Sequence, residues 1–453
     1  MTEWIFDRDA IRSFRFVASR LDTQTGEVAL EYRFDDGPVL IERLRIPGAP
    51  FVLDGARAVA VGRALDLLHW IAGVSYYKAA VPAEIVFESS QPGLAARGLL
   101  GEVYRLGLGE FAYRNRIDLA VRLNFPVPGP SPVAAPVLGL RRQALVAIGG
   151  GKDSLVSIES LRALGVDQQL AWIGSSQLIA ACAERTGLPG LKIERAIAPE
   201  LFEFNRQGAY NGHIPVTAIN SAVLALVALL RDCDQVVFSN ERSASYGSTI
   251  EGSGEVNHQW SKGWQFEHDF AALLRAEVAA DLNYYSLLRP WSELAIARQF
   301  ARIDGYDRHF SSCNRNFHLL GERPAERWCG VCPKCHFVFL ALAPFMPKPR
   351  LVSIFGRNLL DEPQLAAGFD ALIEYRDHKP FECVGEAIES RAAFAHLANS
   401  PAWREDALVA RFRDEILPQL DASGLTLEDQ LQPAGAHGIP FELAGKLRAH
   451  FSA

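Results

Sequence analysis

Large apolar residues recur at every second position in residues 13–34, on both sides of the turn sequence Thr25-Gly26. This period of two is that of a strand with one buried face, so the segment predicts a β-hairpin. Apolar spacing typical of a helix follows at Ala58–Ala72, and a short strand pattern follows at Glu84–Glu88. Residues 1–125 are therefore predicted to form an N-terminal α+β domain.

Five prolines then crowd residues 126–136, and such a stretch cannot form regular structure. We interpret residues 126–137 as a linker. Beyond it, short continuous apolar runs alternate with helical patterns, beginning with the run Ala144–Ile148. Runs of this kind are typical of parallel strands that are buried on both faces. The pattern predicts an α/β domain with a doubly wound parallel sheet at residues 138–345, followed by a helical region at residues 346–453.

Composition and charge narrow the class of protein. The 453 residues are 49% hydrophobic and 22% charged, which is the balance of a folded enzyme. The net charge of −7 disfavours a nucleic-acid partner, because phosphate neutralisation needs a basic surface. The acidic N-terminus does not resemble a secretory signal, and polar residues interrupt the longest apolar stretch, Ile214–Leu230. We therefore expect a cytoplasmic enzyme with no membrane association.

A glycine-rich loop directly follows the first apolar run. Glycines bring backbone N–H groups close to an anion, the following helix adds its dipole, and a lysine adds positive charge. The serine at the end of the loop is expected to cap the helix. In an open α/β sheet this loop predicts a nucleotide-phosphate site, although a structural turn before a helix is the alternative. The loop consists of Gly149, Gly150, Gly151, Lys152, Asp153 and Ser154.

Four of the seven cysteines fall within 23 residues, with two gaps of two residues each. Such gaps place thiolates around one metal ion, and a fourth thiolate from a more distant loop completes a tetrahedral zinc site. The alternative is a set of buried, reduced cysteines with one redox pair. The candidate metal ligands are Cys313, Cys329, Cys332 and Cys335.

Two polar segments, Tyr210–Pro215 and Ser239–Trp260, are expected at the same rim of the sheet as the glycine-rich loop. Within them, Glu241 is a candidate ligand for Mg²⁺ or a substrate amine, and His213 and His258 are candidate proton carriers. A helix cap, a solvated face and hydrogen-bonded structural histidines are the alternatives. The candidate substrate-binding residues are Asn211, Asn240, Arg242 and Asn257, where arginine suits a carboxylate or phosphate.

A third polar stretch, Lys379–Glu386, lies in the helical C-terminal region. Its Cys383 lies outside the four-cysteine cluster and is a candidate base or nucleophile, although a buried free cysteine is the commoner case.

The motif GGGKDS resembles the SGGxDS motif of the PP-loop ATP pyrophosphatases, with Gly149 in place of the first serine. The cysteine stretch is similar to the zinc-binding end of 7-cyano-7-deazaguanine synthase. Together with FSNERSAS, VNHQWSKGW, CGVCPKC and KPFECVGE, these motifs resemble the MurL family over nearly the whole chain.

The resemblance implies an ATP-dependent epimerase that inverts the terminal glutamate of UDP-N-acetylmuramoyl-L-alanyl-L-glutamate (UDP-MurNAc-L-Ala-L-Glu). An acyl-adenylate is the implied intermediate, AMP and pyrophosphate are released, and an upstream ligase adds the L-glutamate. ATP, Mg²⁺ and a structural Zn²⁺ are the implied cofactors. Residues 149–154 are assigned to ATP, with Lys152 stabilising phosphate charge, and His213, His258, Glu241 and Cys383 are the candidates for proton transfer.

Three other functions remain open from the sequence. The first is another PP-loop synthase or amidotransferase that adenylates a different carboxylate or a base. The second is a tRNA-modifying PP-loop enzyme, which the sequence pI of about 5.9 disfavours. The third is a nucleotide sensor without catalytic activity.

Overall fold

One sheet of nine strands organises the protein, with the strand order β11-β8-β5-β6-β7-β3-β2-β1-β4. The computed structural model describes residues 4–250, 254–317, 324–376, 380, 382, 384–421 and 423–453. A separate two-stranded sheet pairs β9 with β10. The strands are β1 (Ser13–Asp22), β2 (Glu27–Phe34), β3 (Leu40–Arg45), β4 (Glu84–Phe87), β5 (Arg141–Ala147), β6 (Gln168–Ile173), β7 (Gly190–Ala196), β8 (Cys233–Phe238), β9 (Ser248–Ile250), β10 (Gly254–Val256) and β11 (Asn283–Ser286).

Helices surround this sheet and also build most of the chain after β11. They are α1 (Gly55–Ala72), α2 (Val74–Tyr77), α3 (Leu94–Arg105), α4 (Gly109–Asn115), α5 (Leu119–Arg122), α6 (Lys152–Ala163), α7 (Gln177–Thr186), α8 (Glu200–Arg206), α9 (Val216–Arg231), α10 (Trp264–Leu273), α11 (Glu293–Ala301), α12 (Pro333–Leu342), α13 (Lys348–Phe355), α14 (Ala366–Leu372), α15 (Ala387–Ala398), α16 (Ala407–Arg411), α17 (Leu427–Leu431) and α18 (Phe441–Ser452).

Five adjacent strands, from β11 to β7, are parallel, which confirms the predicted α/β class. Side chains alternate between the two faces of these strands. Leu145 and Val236 pack into one core with α1 and α9, whereas Val146 and Val237 pack into a second core with α6 and α11. The continuous apolar runs thus reflect burial on both faces of the sheet.

The other four strands are mostly antiparallel and come from the N-terminal region. The predicted hairpin is confirmed, because β1 pairs antiparallel with β2 from Phe14↔Phe34 to Asp22↔Glu27. β3 pairs antiparallel with β7, which joins this region to the parallel strands in one sheet. Residues 123–140 contain no helix or strand, as their prolines predict. The domain limits at residues 125, 138 and 345 stay a prediction.

The stretch Gly55–Tyr77 is long and apolar enough to cross a membrane by length and composition alone. However, 72% of its most apolar window is buried inside the protein, and a core helix passes the same test. α9, which covers most of the apolar stretch at residues 214–230, is likewise a largely buried helix. Both helices pack against each other in the core beside the parallel strands.

Candidate functional site

The glycine-rich loop turns sharply between β5 and α6. Gly150 has a φ of +76°, which lies in the left-handed region that favours glycine. A Cβ atom on Gly151 would lie 2.7 Å from the hydroxyl oxygen of Ser312. The N–H of Ser311 donates to the carbonyl oxygen of Gly150 at 3.0 Å. The loop is therefore held closely against residues 311–312, and two of its glycines have a steric reason to be glycine.

Ser154 has a different role from the predicted one. The helix begins at Lys152, so Gly151 occupies the capping position and Ser154 lies inside the first turn. The Ser154 hydroxyl donates to the carbonyl oxygen of Gly151 at 3.1 Å and accepts the N–H of Gly149 at 3.3 Å. The prediction that Ser154 caps the helix was wrong, because Gly151 is the capping residue. The Ser154 side chain instead connects two residues of the loop, Gly149 and Gly151.

A pocket of about 290 Å³ opens at the carboxyl ends of β5 and β8. The loop contributes Gly149, Gly151, Asp153 and Ser154 to its lining, and the second polar segment contributes Ser239 and Asn240. Lys262, two residues beyond that segment, also lines the pocket. Thr217 and Asn220, from the first turns of α9, and Ser311 and Ser312 also line it. The structure therefore brings the glycine-rich loop and the second polar segment together around one concave, polar surface.

Lys152 does not line this pocket, because its side chain is fully buried behind the loop. Its ammonium group forms ion pairs with Asp153 and with Glu293, the first residue of α11. Burial alone would lower the pKa of Lys152, but these two carboxylates raise it above the usual value. Lys152 thus stays charged and links a pocket-lining carboxylate to a carboxylate in the interior.

Glu293 also binds a second ammonium group, that of Lys334, at 3.4 Å. Although burial by itself raises the pKa of Glu293, the charges of Lys152 and Lys334 lower it to about 2. The backbone N–H of Glu293 donates to a carboxylate oxygen of Glu389 at 2.8 Å. Burial and the nearby charge of Glu293 raise the pKa of Glu389 to about 7. The buried ionic cluster Lys152–Glu293–Lys334–Glu389 therefore joins the loop, the cysteine segment and the C-terminal region.

Glu241 is buried at the start of the turn that follows β8. Its pKa is raised by burial, and the negative charges of Glu293 and Asp153 raise it further. The hydroxyl of Ser243 donates to a Glu241 carboxylate oxygen at 3.1 Å. Arg289 fixes the backbone here, because it donates to the Glu241 carbonyl oxygen at 2.7 Å while paired with buried Glu267. Glu241 is thus a buried carboxyl group with a raised pKa that directly follows the pocket-lining Asn240.

The two histidines predicted as proton carriers lie close to each other, with ring centroids 6.3 Å apart. His213 Nδ1 lies 3.8 Å from a carboxylate oxygen of Glu110. Burial lowers the pKa of His213, and the charges of His258 and Lys262 lower it as well, against the opposing effect of Glu110. Lys262 lines the pocket and its charge acts on both His213 and Glu241. The histidine pair and the pocket are therefore electrostatically connected.

Of the four predicted substrate-binding residues, Asn240 alone is among the pocket-lining residues described, and its amide donates to Ser286 at 3.0 Å. The Asn257 amide donates to the carbonyl oxygen of Ala244 at 3.1 Å. Arg242 donates to the carbonyl oxygen of Gln432 at 3.3 Å, which ties this segment to the C-terminal region. Asn211 accepts a hydrogen bond from Lys78 at 3.1 Å. Cys383 lies outside the described residues.

The four clustered cysteines converge as their spacing predicts. Their sulfur atoms all lie within 4.8 Å of one another, and the sulfurs of Cys329 and Cys335 are 3.7 Å apart. Gly330 has a φ of +67°, and Pro333 begins α12 directly after Cys332. A tetrahedron of thiolates with zinc–sulfur bonds of about 2.3 Å has edges of about 3.8 Å. The arrangement therefore fits a four-thiolate metal site.

Several residues of this site were missed from the sequence. Glu293 and Glu389 are far from the loop along the chain and stand in no polar motif, so no local signal marks them. Lys262 and Lys334 lie within VNHQWSKGW and CGVCPKC and are two of only eight lysines, which is a usable signal. In a chain with 46 cationic residues, a rare lysine in a polar motif is a candidate functional residue.

Comparison with known proteins agrees with these motifs. The sequence model of the MurL N-terminal domain matches residues 5–287, and that of the MurL C-terminal domain matches residues 309–425. A protein of Xanthomonas oryzae pv. oryzae, named UDP-N-acetyl-alpha-D-muramoyl-L-alanyl-L-glutamate epimerase, is 64% identical over 99% of both chains.

Two further relatives carry the same name and are less similar in sequence. The protein of a Micromonospora species is 43% identical over 94% of this chain and 96% of its own. The protein of Salinispora tropica is 43% identical over 89% of each chain. Coverage is nearly complete in all three comparisons, so the similarity is not confined to the glycine-rich loop. The chain therefore belongs to the MurL family, a family of epimerases.

Proposed function

We propose that this protein inverts the α-carbon of the terminal glutamate in UDP-MurNAc-L-Ala-L-Glu, from the L to the D form. The observation that carries the proposal is the 64% identity, over 99% of both chains, to a protein named for this epimerase activity. The product then enters the synthesis of peptidoglycan precursors, downstream of a ligase that supplies the L-glutamyl compound.

We further propose that ATP activates the substrate. Removal of a proton beside an ionised carboxylate would place a second negative charge on an anionic group. Attack of the α-carboxylate oxygen on the α-phosphorus of ATP, with loss of pyrophosphate, gives an acyl-adenylate that lacks this charge. Its carbonyl oxygen then accepts the charge that develops when the α-proton leaves. Water finally cleaves the adenylate, which yields the D-glutamyl product and AMP.

The pocket beside the glycine-rich loop supports the ATP assignment. Backbone N–H groups at the start of α6 and its helix dipole favour a phosphate group there. Asp153 lines the pocket and is the nearest candidate to hold a Mg²⁺ ion with the phosphates. Because Lys152 is already paired with Asp153 and Glu293, we assign it to positioning Asp153 rather than to direct phosphate contact.

Inversion needs a group that removes the α-proton and a group that returns a proton to the opposite face. Glu241 and His213 are the two described residues that we propose for this pair. Glu241 is buried and His213 is partly buried, the pKa values of both are shifted, and the charge of the pocket-lining Lys262 acts on both. Shifts of this kind are common in catalytic acids and bases.

We propose that the four cysteines bind a structural Zn²⁺. Four thiolates leave no open coordination position, so the ion would stabilise the fold rather than activate water. The bound ion would also fix the position of Lys334, which lies between Cys332 and Cys335 and forms an ion pair with Glu293.

The deciding experiment incubates the protein with the L-glutamyl substrate and Mg-ATP in deuterated water. We expect AMP, pyrophosphate and a D-glutamyl product with deuterium at the α-carbon, in equal amounts. A reaction without ATP is the control. Equal conversion in that control would rule out adenylation. Pyrophosphate release with another carboxylate, and none with this substrate, would instead support a different PP-loop adenylating enzyme.

A further inference from the structure

Lys78 is a buried lysine with no carboxylate partner in the described part of the chain. The residue follows α2 and is 5% exposed. Its ammonium group donates to the amide oxygen of Asn211 at 3.1 Å, and no described carboxylate lies within the 4.0 Å of an ion pair. Burial lowers the pKa of Lys78 to about 8. The group is therefore still mostly charged at neutral pH.

The other buried cations among the described residues are paired with carboxylates. Proteins rarely bury a charge without a partner, because desolvation penalises the charged form. Lys78 departs from that pattern and retains donors that no described side chain uses. A buried ammonium group of this kind is suited to an anionic ligand. The paired examples are Lys152 and Lys334 with Glu293, Arg289 with Glu267, and Arg195 with Glu42.

Asn211 is oriented so that its amide nitrogen is a second donor. Its side-chain oxygen accepts hydrogen bonds both from Lys78 and from the N–H of Gly212, at 2.9 Å. Two donors on this oxygen fix the amide orientation and leave the NH₂ group to donate elsewhere. The Asn211 backbone is held in turn, because the Asn115 amide donates to its carbonyl oxygen at 3.1 Å.

A short segment connects this pair of donors with the pocket. His213 follows Asn211 by two residues, and Thr217, four residues further on, lines the pocket. The backbone on the Lys78 side is also rigid. Buried Val81 has a φ of +50°, a conformation that is strained for a β-branched residue and persists only where its surroundings enforce it.

We propose that Lys78 and Asn211 bind the side-chain carboxylate of the terminal glutamate, an inference that rests on the proposed function. The α-carboxylate is consumed by activation, whereas the side-chain carboxylate keeps its charge throughout the reaction. An ammonium group and an amide N–H₂ together match the two oxygens of a carboxylate. Lys78 is thus a specificity-determining residue that selects glutamate over its uncharged amide, glutamine.

The test compares the natural substrate with the same compound ending in L-glutamine. We expect the wild-type protein to prefer the glutamate form, and Lys78→Met to lower kcat/KM for that form about 30-fold or more. The same variant should leave kcat/KM for the glutamine form nearly unchanged. Lys192→Met, which removes a half-exposed lysine far from this segment in sequence, is the matched control and should change neither value.

Asn211→Asp is a second variant that does not depend on the stability of Lys78→Met. Asn211 is exposed and already contacts Lys78, so the new carboxylate would pair with that ammonium group and the fold should hold while the substrate carboxylate is repelled. We expect a loss of kcat/KM with the glutamate form and a smaller loss with the glutamine form. Equal losses with both forms, in either variant, would show a purely structural role and overturn the proposal.

Equilibrium binding by calorimetry without ATP separates this proposal from the proposed function. A wild-type protein that binds the glutamate form more tightly, but never epimerises it, would refute the reaction and not the carboxylate site. The last measurement compares the wild-type protein and Lys78→Met with a substrate that lacks the uridine diphosphate. If the effect of Lys78→Met disappears with that substrate, Lys78 binds the diphosphate and the carboxylate assignment is wrong.

Discussion

Two buried glutamates form ion pairs, one on the antiparallel part of the sheet and one on a helix beside the parallel part, but their surroundings differ. Glu42, on antiparallel β3, pairs with Arg195 of β7 at 2.7 Å, among closely packed aromatic residues such as Tyr32 and Tyr76. Glu293, beside the parallel half, pairs with Lys152, whose other partner, Asp153, lines the pocket. The Glu42–Arg195 pair is therefore enclosed in the core, whereas the Glu293–Lys152 pair is linked to the pocket through Asp153.

This difference shows that burial and pairing alone do not identify a functional residue. The Glu42 pair closes the joint between β3 and β7, and none of its members lines a described pocket at the glycine-rich loop. In the Glu293 cluster, Lys152 is paired with the pocket-lining Asp153, and the charge of Glu293 raises the pKa of Glu241. We therefore propose a functional role for Glu293 and not for Glu42, because only the Glu293 pair is linked to a residue that lines the pocket.

The largest expected effect comes from the glycine-rich loop. Gly150→Val places a β-branched residue at a φ of +76° and should lower ATP turnover at least 100-fold with the fold intact. Gly98→Ala, at an exposed position in α3 outside the loop, is the matched control, because no heavy atom lies within 4 Å of the added Cβ. The measurement is pyrophosphate release, with circular dichroism as a check on folding. Equal loss in both variants would contradict the loop assignment.

The four-cysteine cluster should give the next largest effect. The purified protein is expected to contain one zinc ion per chain, and Cys332→Ser should remove it and lower the melting temperature sharply. Cys233→Ser, at a buried cysteine outside the cluster, is the control and should keep its zinc. Elemental analysis of fresh protein provides the measurement. Absence of zinc would favour the alternative of buried, reduced thiols.

The comparison between the two glutamates can be tested directly. Glu42→Gln and Glu293→Gln each leave buried cations without a full counter-charge, which costs about 3–5 kcal/mol of unfolding free energy. Only Glu293→Gln should also lower turnover, because it alone changes the position of Asp153. Denaturant unfolding and pyrophosphate release, measured on both variants, provide the data. Equal turnover in the two variants would show that Glu293 has no greater influence on the pocket than Glu42.

The smallest expected effect is a pH dependence in the antiparallel half. His69 of α1 is fully buried beside β2, and burial lowers its pKa from 6.5 to about 4. Its folded-state pKa is below the unfolded value, so its contribution to stability is present above about pH 6.5 and is lost as the pH falls towards 4. The full shift corresponds to about 3 kcal/mol. His69→Gln should flatten the unfolding free energy over this pH range.

Local patterns were sufficient for most elements and for the two principal motifs. The hairpin, the buried parallel strands, the glycine-rich loop and the convergence of the four cysteines follow from periods or spacings within about 25 residues. The pairing of β3 with β7 depends on residues some 150 positions apart, for which the sequence contains no local signal. The burial of Lys152 could not be predicted for the same reason, because its partner Glu293 lies on a helix that is distant along the chain.

The β3–β7 joint also has a consequence for synthesis of the protein on the ribosome. β1, β2 and β3 are complete once residue 45 has been made, but β7 does not exist until residue 196. Throughout this interval one edge of β3 has unsatisfied backbone hydrogen-bonding groups, which is the usual template for aggregation between chains. Glu42, Arg43 and Arg45 give this short strand a high density of charge. The nascent chain thus carries its own protection against premature strand pairing until β7 emerges to cover the edge.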